Sequence, residues 1–113
     1  MKKLILLSVF GFTMIFLVNC SSSKKMAVPK TTYATDVSAV VMTNCSPCHI
    51  PAKGGNKKPY DNYANLKTDI DEIVRRITLN PGDRGFMPFK HAKLSDSTIA
   101  VFTKWKADGL LEK

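Results

Sequence analysis

A chain of 113 residues with seventeen basic and nine acidic side chains carries a formal net charge of +8, and 44% of its residues are hydrophobic. Once a leader is set aside, that length holds one small domain, and so small a core gains from a staple such as a disulfide, a metal or a cofactor. No Ser-His-Asp set, carboxylate pair or Gly-rich phosphate loop stands in a setting that supports hydrolytic or phosphoryl-transfer chemistry.

The chain opens MKKLILLSVFGFTMIFLVNCSSSKK, in which Lys2 and Lys3 precede fifteen uncharged, mostly apolar residues from Leu4 to Val18. A membrane-spanning helix needs about 20 such residues, whereas this length suits the core of an export signal. Leu17-Val18-Asn19-Cys20 resembles the bacterial lipobox, with Asn19 in place of the usual small residue. The resemblance implies that residues 1–19 are a lipoprotein signal peptide, removed before Cys20, and that the Cys20 thiol is lipidated. An uncleaved N-terminal anchor helix is the alternative. Both place the remainder outside the cytoplasm and tethered to a membrane, on the periplasmic side of the inner or outer membrane. Residues 20–31 read as a lipidated flexible linker, rich in Ser and Lys, with one Pro and no periodicity. Residues 32–113 remain for the domain.

TDVSAVVMTN (35–44) places Val37, Val40 and Val41 on one helical face, with Thr35 or Asp36 as N-cap and Met42 in the core. This helix runs into Cys45-Ser46-Pro47-Cys48-His49. With Cys20 lipidated, Cys45 and Cys48 are the remaining thiols. A bridge between them closes a loop too small to staple much, and a thioredoxin-type dithiol needs a βαβ context that no preceding strand supplies. Zinc needs two further ligands, for which His49, directly abutting Cys48, and His91 are the obvious candidates. The pattern C-x-x-C-H is the c-type haem attachment signature. Two cysteines three apart can bond to both vinyl groups on one porphyrin edge, and the next residue then projects an imidazole towards iron. One covalent haem c is therefore the expected cofactor.

Farther along, TDIDEIVRRITLN (68–80) sets Ile70, Ile73, Val74 and Ile77 at i, i+3, i+4, i+7, the face of an amphipathic helix. Thr68 and Asp71 resemble a capping box, and Asn80-Pro81-Gly82 ends the helix. NPGDRGFMPFKHAKL (80–94) has turn formers and no periodicity, so it is a loop. A last helix is expected from about Asp96 to Asp108, capped by Ser95, stopped by Gly109, with Ile99, Ala100, Phe102 and Trp105 facing inward.

A helix leading into C-x-x-C-H, the Lys53-Gly54-Gly55 that follows, Met87-Pro88 some forty residues later and the closing LSDSTIAVFTKWKADG (94–109) together resemble the small single-haem c-type cytochromes of class I. KKPYDNYANL stands where Gly-Pro-x-Leu-x-Gly is usual in that family. The resemblance covers nearly the whole exported domain and implies an all-α fold of three to five helices around one covalently attached haem. Cys45 and Cys48 would carry the thioether bonds and His49 would ligate iron. Met87, a soft thioether in a constrained loop, is the first choice for the sixth ligand; His91, otherwise a surface histidine, is the rival. A ligating histidine usually donates its other ring N–H to a carbonyl. In the family a proline carbonyl accepts it, and Pro59 is the nearest match, with Pro51 the competitor. Tyr60, Tyr63, Trp105 and Arg84 are candidates to hydrogen-bond the propionates, while Phe86 and Phe89 would exclude water around Met87.

Removing Lys2 and Lys3 leaves fifteen basic against nine acidic residues, a net charge of +6. Lys53, Lys57, Lys58, Lys90 and Lys93 fall in loops expected to border the haem, a basic rim suited to steering redox partners with acidic docking surfaces. An exported chain excludes nucleic acid as a partner. The expectation is a one-electron carrier between extracytoplasmic respiratory partners rather than an enzyme. A haem-bearing subunit of a larger membrane redox complex, and a haem sensor or enzyme with a displaceable Met87, are the alternatives.

Overall fold

A computed structural model describes residues 27–113, so Cys20 and the expected signal peptide lie outside the described residues. Among the described residues there are four α-helices and no strand, the all-α architecture expected. None of these helices is long and apolar enough to cross a membrane.

The first helical segment begins at Thr32, three residues before the expected cap. The Thr32 hydroxyl accepts the Thr35 N–H at 3.2 Å, while the Asp36 carboxylate accepts the Thr32 N–H at 2.8 Å. Acceptors on both sides satisfy amides that a helix start leaves free. One wide π turn, Tyr33–Val37, follows and passes directly into α1, Ser38–Asn44. Val37 and Val41 are buried and Val40 partly so, as their spacing requires. Met42 is 39% exposed: it lies on the outer side of this helix, and its expected core role is corrected.

Two short helices occupy the middle of the domain. The first, α2 (Tyr63–Thr68), is capped by Asn62, whose side chain accepts the Asn65 N–H at 2.9 Å. After one residue, Asp69, the chain enters α3, Ile70–Thr78. The expected Thr68–Asp71 capping box does not form, because Thr68 is the last residue of α2 and its hydroxyl donates back to the Ala64 carbonyl at 2.9 Å. Ile70, Ile73 and Ile77 of α3 are buried, as the periodicity predicts. Finally α4, Asp96–Ala107, starts where the Ser95 hydroxyl accepts the Thr98 N–H and stops at Gly109, which adopts the left-handed conformation at φ +97°. Ile99, Phe102 and Trp105 face inward with a three-residue spacing; Ala100 is turned outward and exposed, against expectation.

The C-terminal tail closes the fold. The Leu111 carbonyl accepts the Tyr33 N–H at 2.9 Å and the Trp105 indole N–H at 2.8 Å, and the Leu110 carbonyl accepts the Tyr63 hydroxyl at 2.9 Å. Tyr33, Tyr63 and Trp105 pack together with ring centroids 5.8–6.3 Å apart, within the range favourable for aromatic pairs. Trp105→Ala should therefore cost about 3–5 kcal/mol of stability, read as a lowered denaturant midpoint. Trp105→Phe should cost clearly less, because the Leu111 carbonyl keeps the Tyr33 N–H and is not left unsatisfied.

Candidate functional site

From the end of α1 the chain turns tightly through the cysteine motif. Cys45 N–H donates to the Val41 carbonyl, His49 N–H to the Cys45 carbonyl and Ile50 N–H to the Pro47 carbonyl, at 2.9–3.0 Å. Ile50, almost fully buried, anchors the far side of the turn. A short 3₁₀ turn, Pro51–Lys53, leads to two glycines with different duties. Gly54 has φ +82° and open space around it. Gly55 lies so close to the motif that a Cβ would fall 2.3 Å from the Pro47 carbonyl oxygen and 2.6 Å from that of Cys48. The following segment folds back, with the Lys57 N–H on the Cys48 carbonyl and the Tyr60 N–H on the His49 carbonyl.

This return path sets the imidazole. His49 Nδ1 lies 2.7 Å from the Lys58 carbonyl oxygen. A carbonyl can only accept, so Nδ1 carries a proton, and in the neutral ring the lone pair is on Nε2. Tyr60 stacks on the ring, with centroids 4.7 Å apart and planes 18° from parallel. The expected acceptor, Pro59, is corrected to its neighbour Lys58.

A second segment brings Met87 to the same place. The Met87 N–H donates to the Arg76 carbonyl at 3.2 Å, one of the last-turn carbonyls that α3 itself leaves unpaired. The loop is held by the Asn80 N–H on the Asp83 carboxylate and by the Lys93 ammonium on the Thr78 carbonyl. Gly85 turns the chain at φ +94°, and Phe86 is buried beneath it.

Cys45, Cys48, His49 and Met87 thus line one cavity of about 480 Å³, within the range of roughly 300–1,000 Å³ usual for small-molecule and cofactor sites. Leu66, Ile73, Ile77, Leu94 and Phe102 supply apolar wall; Lys57, Lys58, Tyr60, Asp69, Glu72 and Arg76 supply polar edge. His91 is exposed and also borders the cavity. Burial pushes the Cys45 thiol up to about 11, so it is a protonated thiol rather than the activated thiolate of a dithiol reductase. Burial, and then the hydrogen bond to Asp69, push the Tyr60 hydroxyl up to about 12. Lys58 and then Tyr60 hold the Asp69 carboxyl below its usual range. No group of three or more His, Cys, Asp or Glu side chains among the described residues is arranged to hold a metal ion.

Several expected participants are elsewhere. Tyr63 and Trp105 spend their polar atoms on the Leu110 and Leu111 carbonyls. Arg84 borders a separate cavity behind the Met87 loop, with Phe86 and Lys90. Phe89 borders the main cavity but is 66% exposed, so it shields less than expected. Of the five rim lysines, Lys57 and Lys58 reach the cavity edge, and Lys58 is paired with Asp69 at 2.6 Å. Asp69, Glu72 and Arg76 were not anticipated. In sequence their charges are accounted for by a helix start and by i, i+3 and i, i+4 pairs, and nothing marks the side from which a loop approaches. No protein family, curated protein or solved structure matches the chain.

The two glycines make a test of this packing. Gly54→Ala should cost about 1–2 kcal/mol from its left-handed backbone alone, measured by chemical denaturation. Gly55→Ala should cost more and disturb the motif turn, because its clash is with backbone atoms that cannot swing aside.

Proposed function

We propose that residues 32–113 are a small, class I-like c-type cytochrome that carries single electrons between extracytoplasmic partners. The observation that carries this reading is that two thiols, a thioether and an imidazole with a bare Nε2 border one largely apolar cavity although Met87 lies far from the motif in sequence. This donor set fits a covalent haem. The Cys45 and Cys48 S–H groups would add across the two vinyl groups to give thioethers, a reaction that needs no oxidant. His49, through Nε2, and Met87, through Sδ, would hold its iron. When bound, the haem supplies an iron that accepts and releases one electron.

The chain's own residues do the rest. The Lys58 carbonyl holds His49 in the tautomer that frees Nε2 and increases its basicity. The Arg76 carbonyl holds the Met87 backbone against α3. Leu66, Ile73, Ile77 and Phe102 keep water from the interior of the cavity, which lowers the local dielectric and limits solvent rearrangement as charge changes. Lys57, with the exposed Phe89 bordering the same cavity, would meet a partner with an acidic docking surface. Lipidated Cys20 would hold the domain at a membrane surface on the periplasmic side.

The wild-type protein should keep its haem after denaturation in acid acetone, and replacing Cys45 and Cys48 by Ala should leave a colourless chain; haem that washes out refutes covalent attachment. Met87→Ala should abolish the oxidised protein's sulfur-to-iron charge-transfer band, lower the potential and open iron to carbon monoxide, whereas His91→Ala should change little. The opposite pattern would transfer ligation to His91. Rapid carbon monoxide binding by the reduced wild type would favour a sensor or enzyme over a carrier.

The anchor has its own test. Labelled fatty acid should enter the wild-type protein, and Cys20→Ser should lose both the label and membrane attachment.

A further inference from the structure

We propose that Asp69 is a positioning residue for the His49 imidazole, clamping through one carboxylate oxygen the two groups that touch the ring; the assignment rests on the haem reading above. Asp69 occupies the N-cap of α3, where an aspartate ordinarily accepts a backbone N–H of the first turn. It makes no such bond. Its Oδ2 instead accepts the Tyr60 hydroxyl at 2.9 Å and the Lys58 ammonium at 2.6 Å. Its side chain is 19% exposed and lies on the cavity wall.

Both of its partners act on His49. Tyr60 stacks on one face of the ring, and the Lys58 carbonyl accepts the Nδ1 proton. The other hydrogen bonds of residues 57–60, Lys57 N–H to Cys48 and Tyr60 N–H to His49, return to the motif itself. Asp69 is therefore the hydrogen-bonded link between this loop and the helical frame. Without it, loop and imidazole can rotate together; with it, the ring plane is referred to α3.

Two consequences follow for a ligating imidazole. Its plane is set, and its basicity is sustained by a carbonyl held in place. Loss of the clamp weakens His49 as a donor and favours the ferrous state, and loss of the carboxylate charge acts in the same direction. Charge and orientation are separated by comparing Asp69→Ala with Asp69→Asn, because asparagine loses the charge but keeps an oxygen that can accept from Tyr60.

The experiment uses the full haem-loaded chain, with a redox titration and the proton NMR spectrum of the oxidised form, in which the order of the haem methyl resonances follows the axial imidazole plane. Asp69→Ala should raise the midpoint potential and reorder the methyl resonances. Asp69→Asn should raise the potential yet retain the wild-type order. Because Asp69 caps no amide, its loss leaves α3 without a new orphan donor. Tyr60→Phe keeps the stacked ring but cuts its tether, and should reorder the methyls as Asp69→Ala does. An equal rise in both Asp69 variants with no reordering reduces Asp69 to a nearby charge and overturns the clamp, as does an unmoved pattern in Tyr60→Phe. A colourless wild type overturns the haem reading and the clamp together, whereas a haem-loaded wild type with an unaffected Asp69→Ala overturns the clamp alone.

Discussion

The Leu111 carbonyl is the point on which the fold turns. It accepts the Tyr33 N–H from the first helical segment and the Trp105 indole N–H from α4, so one oxygen joins the two ends of the domain. The neighbouring Leu110 carbonyl adds α2 through Tyr63. A domain of this size buries too little apolar surface to hold its termini by packing alone, and short, well-aligned hydrogen bonds around a buried indole supply the missing definition. Once the Tyr33–Asn44 segment is held at this end, its other end projects the cysteine motif towards α3.

Around the cavity, polar and apolar groups divide the labour. The apolar wall comes from helices, whose side chains are held by the core they share with Val41, Ile70 and Trp105. Polar edge groups come from the 57–60 segment and from one side of α3. Arg75, and then Arg76, hold the Glu72 carboxyl down to about 2, so it stays ionised across the ordinary pH range. These ion pairs are half-exposed and contribute little to stability. Their effect is to give α3 a face of settled charge beside the cavity.

Much of the helical frame was legible in the residues. Ile70, Ile73 and Ile77 announced α3 by periodicity, and Ser95 and Gly109 announced the ends of α4, because caps act over one turn and depend on few other residues. Helix α2 was missed: it is six residues long and buries one large apolar side chain, Leu66, so no period can be read from it. Its presence also removed the expected Thr68–Asp71 box, since Thr68 ends one helix instead of starting the next. Ala100 and Met42 were assigned inward because they are apolar, but small or flexible apolar residues occur on either face of a helix.

The sequence by itself determined the kinds of donor and their local order: two thiols three apart, an imidazole next in line, and a helix on either side of the loop bearing Met87. Covalent connectivity enforces such relations over a few residues whatever the rest of the chain does. Only the tertiary structure decided which carbonyl meets the His49 ring, and it chose Lys58 over Pro59 because the path of the returning loop is set by contacts with α3. It also decided that Met87 joins the cavity through the Arg76 carbonyl, and that Tyr63 and Trp105 serve the C-terminal tail. Each of those choices is a competition among acceptors distant in sequence, settled by where the helices place their unpaired ends.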